Sequence, residues 1–469
     1  MIGLFGTLDM GARALSVTQE QMAVTGQNLS NANNAAYSNQ TLNVTASTPL
    51  ETPIGDEGTG IQATSITSAS DPFLNSQIQA ENSVTSSLTA QQSGLQNAEA
   101  YLDEEITSTS SSTTPDSPNG LAQSLTSLFN SFSGMETDPG NPALQGTAVQ
   151  SAVSLANQFQ QVSSQLSGVR SDLNSSITSG VADSNQDLAD IATLNQQIVE
   201  AQASGGTAND LVDQREAKLE DLSNQVNLTT STESNGAIDV SIGGVAMVTG
   251  TTQTDSLETY DASGNGQLLI QAKNAGTQLS LTGGSIEGNI TARDGALADL
   301  QSGVNTLASQ LITNVNSIYS QGYDAKGNTG QNLFTGTDAS DIAVNSSLVA
   351  DPSEFQYSST GASADAGTVS ALAGLATQNI SGLNNQTFSA NYAQTVTNLG
   401  SAISSVNDQL DTSQSVSQML TSQRSSTAGV SMDDQMTGLI QYQKAYEASA
   451  ELVTTVNEML ETLVSMKTE

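Results

Sequence analysis

Apolar residues recur along this chain at helical spacing, and the pattern is sharpest at its two ends. Near the N-terminus Leu8, Leu15, Met22 and Leu29 stand seven residues apart. Near the C-terminus Leu439, Tyr442, Tyr446, Val453, Val456, Leu460 and Leu463 follow at steps of three, four or seven. A seven-residue step on an α-helix makes a narrow apolar seam that packs against another helix. The two seams predict that the ends of the chain meet. On the stripes alone, an antiparallel pair buried within one molecule is the simplest arrangement.

Between the seams the period changes twice. The first helix, Leu8 to about Leu29, is predicted to stop in Ser30-Asn-Ala-Asn-Asn34, residues that favour caps and turns. An extended arm over 36–48 and a short strand at Gly60–Ile66 flank the turn stretch ETPIGDEGTG. Helical spacing then covers 71–105, 121–133, 142–201 and 209–225, with Asn209-Asp210 as an N-cap before Leu211. Alternation of period two takes over at Ile238, Val240, Ile242, Leu268, Ile270, Leu279 and Leu281, with turn signals at Asn235-Gly236, Gly243-Gly244 and Gly264-Asn265-Gly266. A continuous helix is predicted over Ile286–Tyr319, and another from about Ala390 to Ser426. A short β segment is predicted at Ile342–Val344. The last helix starts at Ser431, with Asp433 and Asp434 in its first turn, where the helix dipole favours acids.

The predicted fold is mainly α with a small inserted antiparallel β-domain. An inner coiled-coil domain comprises 1–59 and 427–469. A rod-like helical bundle comprises 60–226 and 285–426, with a loop and short-β segment at about 323–382. The β-domain comprises 227–284.

Composition narrows the chemistry. The 469 residues include no Cys, no His and no Trp. That removes thiol and imidazole nucleophiles, zinc sites with nitrogen or sulfur ligands, and disulfides. A formal charge of −37 repels phosphates and anionic lipids, which argues against nucleic-acid binding. No 18-residue apolar run suggests membrane insertion, and no cleaved signal peptide is evident. Asp261–Gly266 resembles a calcium loop only faintly, and Ala272 stands where a bidentate Glu belongs, so the segment reads as a hairpin turn. Tyr323–Asn328 reads as a polar turn. The neighbouring acids Asp103, Glu104 and Glu105 sit on one predicted helix end and do not face each other across a substrate. The reading is of a non-enzyme without cofactor or metal.

Two strings carry a resemblance. LSVTQEQMAVTGQNLSNANNAAYSNQ, Leu15–Gln40, is similar to the N-terminal signature of the axial proteins of the bacterial flagellum. Asn28, Asn31, Asn33, Tyr37 and Ser38 are among its matching positions, while Ala35-Ala36 replaces the usual Pro-Gly. GVSMDDQMTGLIQYQKAYEASAELVTTVNEMLETLVSM, Gly429–Met466, resembles the C-terminal signature of the same group. In the interior, Leu121–Ile177, Ile191–Leu228, Ile238–Gly250 and Asn332–Pro352 resemble, in order, segments of the hook-associated protein 1 family.

The resemblance implies a structural role, joining hook to filament, and an extracellular place reached through the flagellar type III route. It implies terminal helices that are loose in the free chain and fold on assembly. The eleven seam residues named above would then form the polymer core. Implied partners are further copies in a ring around the axis, hook protein, a second junction protein (hook-associated protein 3), and an export chaperone at the C-terminal helix. The chain is short for the family, which implies a reduced peripheral domain. Two other readings remain open at this stage: a rod or hook subunit, and a secreted adhesin or carbohydrate-binding stalk protein.

Overall fold

A computed structural model describes residues 3–34, 36–52, 55–102, 120–264 and 266–467. The linker expected at Ser108–Gly120, apart from Gly120, and the acids Asp103, Glu104 and Glu105 lie outside the described residues.

The chain begins with α1 (Leu4–Ser30). A long hairpin follows, in which β1 (Gln40–Ala46) pairs antiparallel with β4 (Ile61–Ser68) and, further out, β2 (Leu50–Thr52) pairs with β3 (Gly55–Glu57). This hairpin packs on α1. Then come α2 (Pro72–Leu102), α3 (Leu121–Met135), α4 (Pro142–Ala203) and α5 (Asn209–Gln225). The 62-residue α4 is the longest element. At 1.5 Å per residue it runs roughly 90 Å, and it ties both cores of the molecule together. Its start is well specified: Asn141 accepts a hydrogen bond from the Ala143 N–H, and Pro142 occupies the first helical position, where no N–H is needed.

The β region is two small antiparallel sheets. One has the order β5 (Thr229–Thr232), β6 (Ile238–Ile242), β7 (Val245–Thr249), β8 (Thr252–Gln253). The other places β10 (Leu268–Ala272) between β9 (Leu257–Asp261) and β11 (Thr277–Gln278). Gly243 and Gly244 both have positive φ, 56° and 83°, which is what a two-residue hairpin loop between β6 and β7 requires. The carboxylate of Asp261 accepts the N–H groups of Ser263, Gly264 and Gly266, so this loop is held by its own backbone. Asp324 does the same for Lys326 and Asn328.

The chain returns through α6 (Ser285–Asp294) and α7 (Ala296–Tyr319). The single helix expected over Ile286–Tyr319 is two, because Gly295 adopts φ −94°, ψ −112° and breaks the ladder. After it come β12 (Phe334–Thr335), β13 (Ala343–Val344), α8 (Ser346–Ala350), α9 (Gly367–Gly374), α10 (Phe388–Ala428) and α11 (Met432–Lys467).

Among the described residues two large hydrophobic cores result, beside a small cluster of Leu74, Ile78 and Leu420 between α2 and α10. The larger joins α2, α3, the first half of α4, α7, α9 and α10, with Phe132, Phe159, Phe334, Phe355 and Phe388 fully buried. The second packs the later half of α4, α5 and α6 against the inward residues of both sheets, including Val240, Ile242, Met247, Val248 and Ile270. The β region is therefore clamped on helices. The buried guanidinium of Arg215 on α5 strengthens the clamp, donating to Asn195 Oδ1 at 3.0 Å and to the Gly236 carbonyl at 2.7 Å.

Candidate assembly interface

The two ends of the chain lie side by side as α1 and α11. Gly11 sits against Leu452 and Val453, and at the other end Asn28 Nδ2 donates to Gln435 Oε1 at 3.0 Å. Both contacts fit one antiparallel register. A Cβ on Gly11 would come within 2.7 Å of the Val453 side chain, so the absence of a side chain lets the backbones approach. The face that α1 buries is Gly11, Val17, Thr18, Val24, Thr25 and Asn28. Thr18 and Thr25 pass inside because their hydroxyls donate to carbonyls one turn back. Leu8, Leu15, Met22 and Leu29 are half-buried and flank that face.

On α11 only Val456 of the seam is buried, at 4% exposure. Leu439, Tyr442, Val453 and Leu460 are half-buried, while Tyr446 and Leu463 are exposed. Further large apolar residues stand in solvent: Met432, Met436 and Ile440 at four-residue steps, and Leu452, Met459 and Met466 along the later turns. The helix thus presents apolar surface on both sides of the strip that α1 covers. Exposed apolar surface of this extent makes α11 a candidate for protein contact.

The turn after α1 is built around one amide. Asn28 Oδ1 accepts from the Tyr37 hydroxyl at 2.9 Å and from the Gln40 N–H at 3.0 Å. Its Nδ2 donates to the Gln40 carbonyl at 2.8 Å and to Gln435. All four hydrogen-bonding positions of the amide are filled. Asn31 Nδ2 closes the end of α1 by donating to the Gln27 carbonyl, and Asn33 is exposed on the turn. The Asn39 N–H donates to the Ala428 carbonyl, fastening the turn to the joint between α10 and α11.

This turn docks on an acidic face of α5. Asp210, Asp213, Glu216 and Glu220 follow at steps of three, three and four, which places them on one side of a helix. Asp210 accepts the side-chain amides of Gln27 at 2.6 Å and Gln40 at 2.7 Å. Asp213 accepts the Ser38 N–H at 3.0 Å. Glu216 accepts from Asn75 and Gln79 of α2, and Glu220 pairs with Arg424 of α10. Burial pushes the Asp213 carboxyl up to about 6, against the lowering effect of the Ser38 bond, and pushes Glu216 up as well. Tyr37 is raised to about 12, first by burial and then by Asp210 and Asp213. Asp210 does not cap α5: the N-cap is Ala208 in the left-handed region, and the Asn209 side chain donates to the Ile66 carbonyl. The expected Asn209-Asp210 cap is corrected accordingly, since both side chains are engaged by the N-terminal hairpin and turn. The helical spacing of these acids marks one acidic side of α5 in the sequence, but it does not say what docks there.

Among the described residues no group of three or more His, Cys, Asp or Glu could hold a metal ion, and no helix is long and apolar enough to cross a membrane.

Residues 107–334 match the family of the flagellar hook-associated protein FlgK helical domain, and residues 421–466 match that of the flagellar basal body rod FlgEFG protein C-terminal region. Flagellar hook-associated protein 1 of Bacillus subtilis (strain 168) is 26% identical, covering 99% of each chain. The protein of that name from Salmonella typhimurium is 25% identical over 68% of this chain and 58% of its own length, so this chain spans less than two thirds of it. The structure of the flagellar hook junction protein FlgK from Burkholderia pseudomallei aligns with a TM-score of 0.49 and 27% identity over 55% of this chain and 46% of that one. The middle and C-terminal family matches stand in chain order, and one relative aligns from end to end; over its whole length the chain is similar to the flagellar hook-associated protein 1 family.

Proposed function

We propose that the chain is a structural subunit of the bacterial flagellum that joins the hook to the filament and is needed for filament assembly. The observation that carries this is the pair of terminal helices in a chain similar to that family: α1 covers one strip of α11 and leaves apolar surface on both sides of it. Each such side chain, once buried between subunits, contributes about 1–3 kcal/mol. That gain exists only where other helices supply the covering surface, at the end of a growing structure.

In this reading the eleven seam residues, from Leu8 to Leu463, form the polymer core with neighbouring copies in a ring. Residues 1–59 and 427–469 act as the inner domain, and the rest stands outside it as bundle and β-domain. Hook protein lies on one side and hook-associated protein 3 on the other. An export chaperone covers the exposed apolar residues of α11 until the chain leaves the cell by the flagellar type III route. Formation of α1 and α11 as simple helices without disulfides suits unfolding and refolding during such passage.

Deletion of the gene tests the reading. The expected cells carry hooks without filaments and shed flagellin into the medium, and the unaltered chain supplied in trans restores filaments. Deletion cells with normal filaments would refute it.

A further inference from the structure

One end of the helical bundle is nearly free of charge on two opposite sides. There α3 neighbours α4 and α10, and α7 neighbours the same two helices. The α3–α4 face and the α7–α10 face therefore lie across the bundle from each other. No charged residue occurs in α3, in α4 from Pro142 to Val169, in α7 from Leu300 to Tyr319, or in α10 from Phe388 to Asn407. A groove of about 1020 Å³ runs along the first face, and among its described lining residues none is charged; Gln123, Gln150, Gln158 and Gln161 are typical. A groove of about 620 Å³ marks the second face, with Asp299 its one charged lining residue among those described.

These faces matter because the chain carries 47 acidic and 10 basic residues. Two copies brought together at random meet acid against acid, and the repulsion grows as water is excluded. Charge-free faces lined by Gln, Ser, Thr and Asn avoid that repulsion and offer both donors and acceptors to a matching surface. The size fits as well. The uncharged part of α4 is roughly 40 Å long and α3 is about 22 Å long, each about 10 Å wide, so the face presents about 600 Å², the lower end of one partner's share of an ordinary stable interface. Unlike faces on opposite sides form head-to-tail contacts, and these close into a ring when the rotation between copies allows.

We propose that the α3–α4 face of one copy seats against the α7–α10 face of the next copy. The proposal rests on the junction reading above and specifies how its copies touch outside the terminal helices. It is tested with the full chain in flagellated cells whose own copy of the gene is deleted. A photoreactive residue at Gln150 is expected to give, on irradiation, an adduct of twice the chain's 48.1 kDa mass, with peptides joining position 150 to 296–306 or 382–402. An adduct with a different protein, a self-adduct mapping elsewhere, or no adduct overturns the proposal. In parallel, Gln150→Glu combined with Gln158→Glu, the first exposed and the second half-buried where both line the open groove, should leave secretion and the circular dichroism of the purified chain unchanged and lower the count of filament-bearing hooks about tenfold or more. An undiminished count also overturns it. Failure of the unaltered chain to restore filaments is a separate result, and it strikes the junction reading on which the proposal stands.

Discussion

Asn28 and Asp213 show how much of the junction between the terminal pair and the bundle rests on single side chains. Asn28 joins α1, the following turn and α11 through four hydrogen bonds, and Asp213 holds the turn to α5 through the Ser38 N–H. The Asp213 carboxyl is buried and raised to about 6, so its charge opposes folding above that pH. Between about 6 and the ordinary carboxylate range near 4 the folded chain takes up this proton before the unfolded chain does, and stability rises as pH falls. Glu216 and Asp187, also raised by burial, act in the same direction. Asp255, Asp341, Asp351 and Asp365 are held low by hydrogen bonds, and their contribution is lost only below that window. Thermal melts are therefore expected to show a higher midpoint at pH 5 than at pH 7.5. Asp213→Asn keeps an acceptor for Ser38, so it should raise the midpoint at pH 7.5 and flatten the response; an unchanged pH response would contradict the assignment. The resemblance pointed to Asn28, Tyr37 and Ser38, but their acidic partners were not legible, because Asp210 lies 170 residues along the chain from Gln40 and Asp213 lies 175 from Ser38.

At the scale of elements, the long helices were legible because their spacing is local and repeats over many turns. The predicted spans 121–133, 142–201 and 209–225 correspond to observed helices 121–135, 142–203 and 209–225. The break at Gly295 was not legible, since the apolar spacing continues across it and only the backbone angle shows the stop. The packing face of α1 was also hidden. Hydrophobicity picks out Leu8, Leu15, Met22 and Leu29, whereas the close approach to α11 uses Gly11 and the buried hydroxyls of Thr18 and Thr25. Small residues do the same work where α6 crosses α2: a Cβ on Gly288 would fall 2.1 Å from the Ser87 carbonyl oxygen. That neighbour is backbone and cannot swing aside. Gly288→Ala should therefore lower the stability of the chain by about 3 kcal/mol, the upper end for overpacking, as read from the urea midpoint. A loss of a few tenths would show that the two helices slide apart at little cost.

Over the whole molecule, charge and apolar surface act against each other. A net charge of −37 repels other copies, and in the proposed reading the exposed apolar residues of α11 draw them together. Screening shortens from about 10 Å at 0.1 M salt to about 3 Å at 1 M, so light scattering should show association of the purified chain increasing with salt. Association that decreases with salt would mean that ion pairs hold the copies. The composition made the absence of thiol and imidazole chemistry legible at once, and the alternating stretch made a β insertion legible. It did not reveal that the β sheets share one core with α4, α5 and α6, because that core is assembled from segments far apart in sequence. The central claim is that apolar surface of α11 left open by α1 builds the junction. Leu463 is 56% exposed, so Leu463→Asp leaves the folded chain intact. The direct measurement is the fraction of hooks bearing filaments in cells that make only this variant. The account predicts normal secretion of the chain and almost no filaments, and a normal fraction of filament-bearing hooks would contradict it.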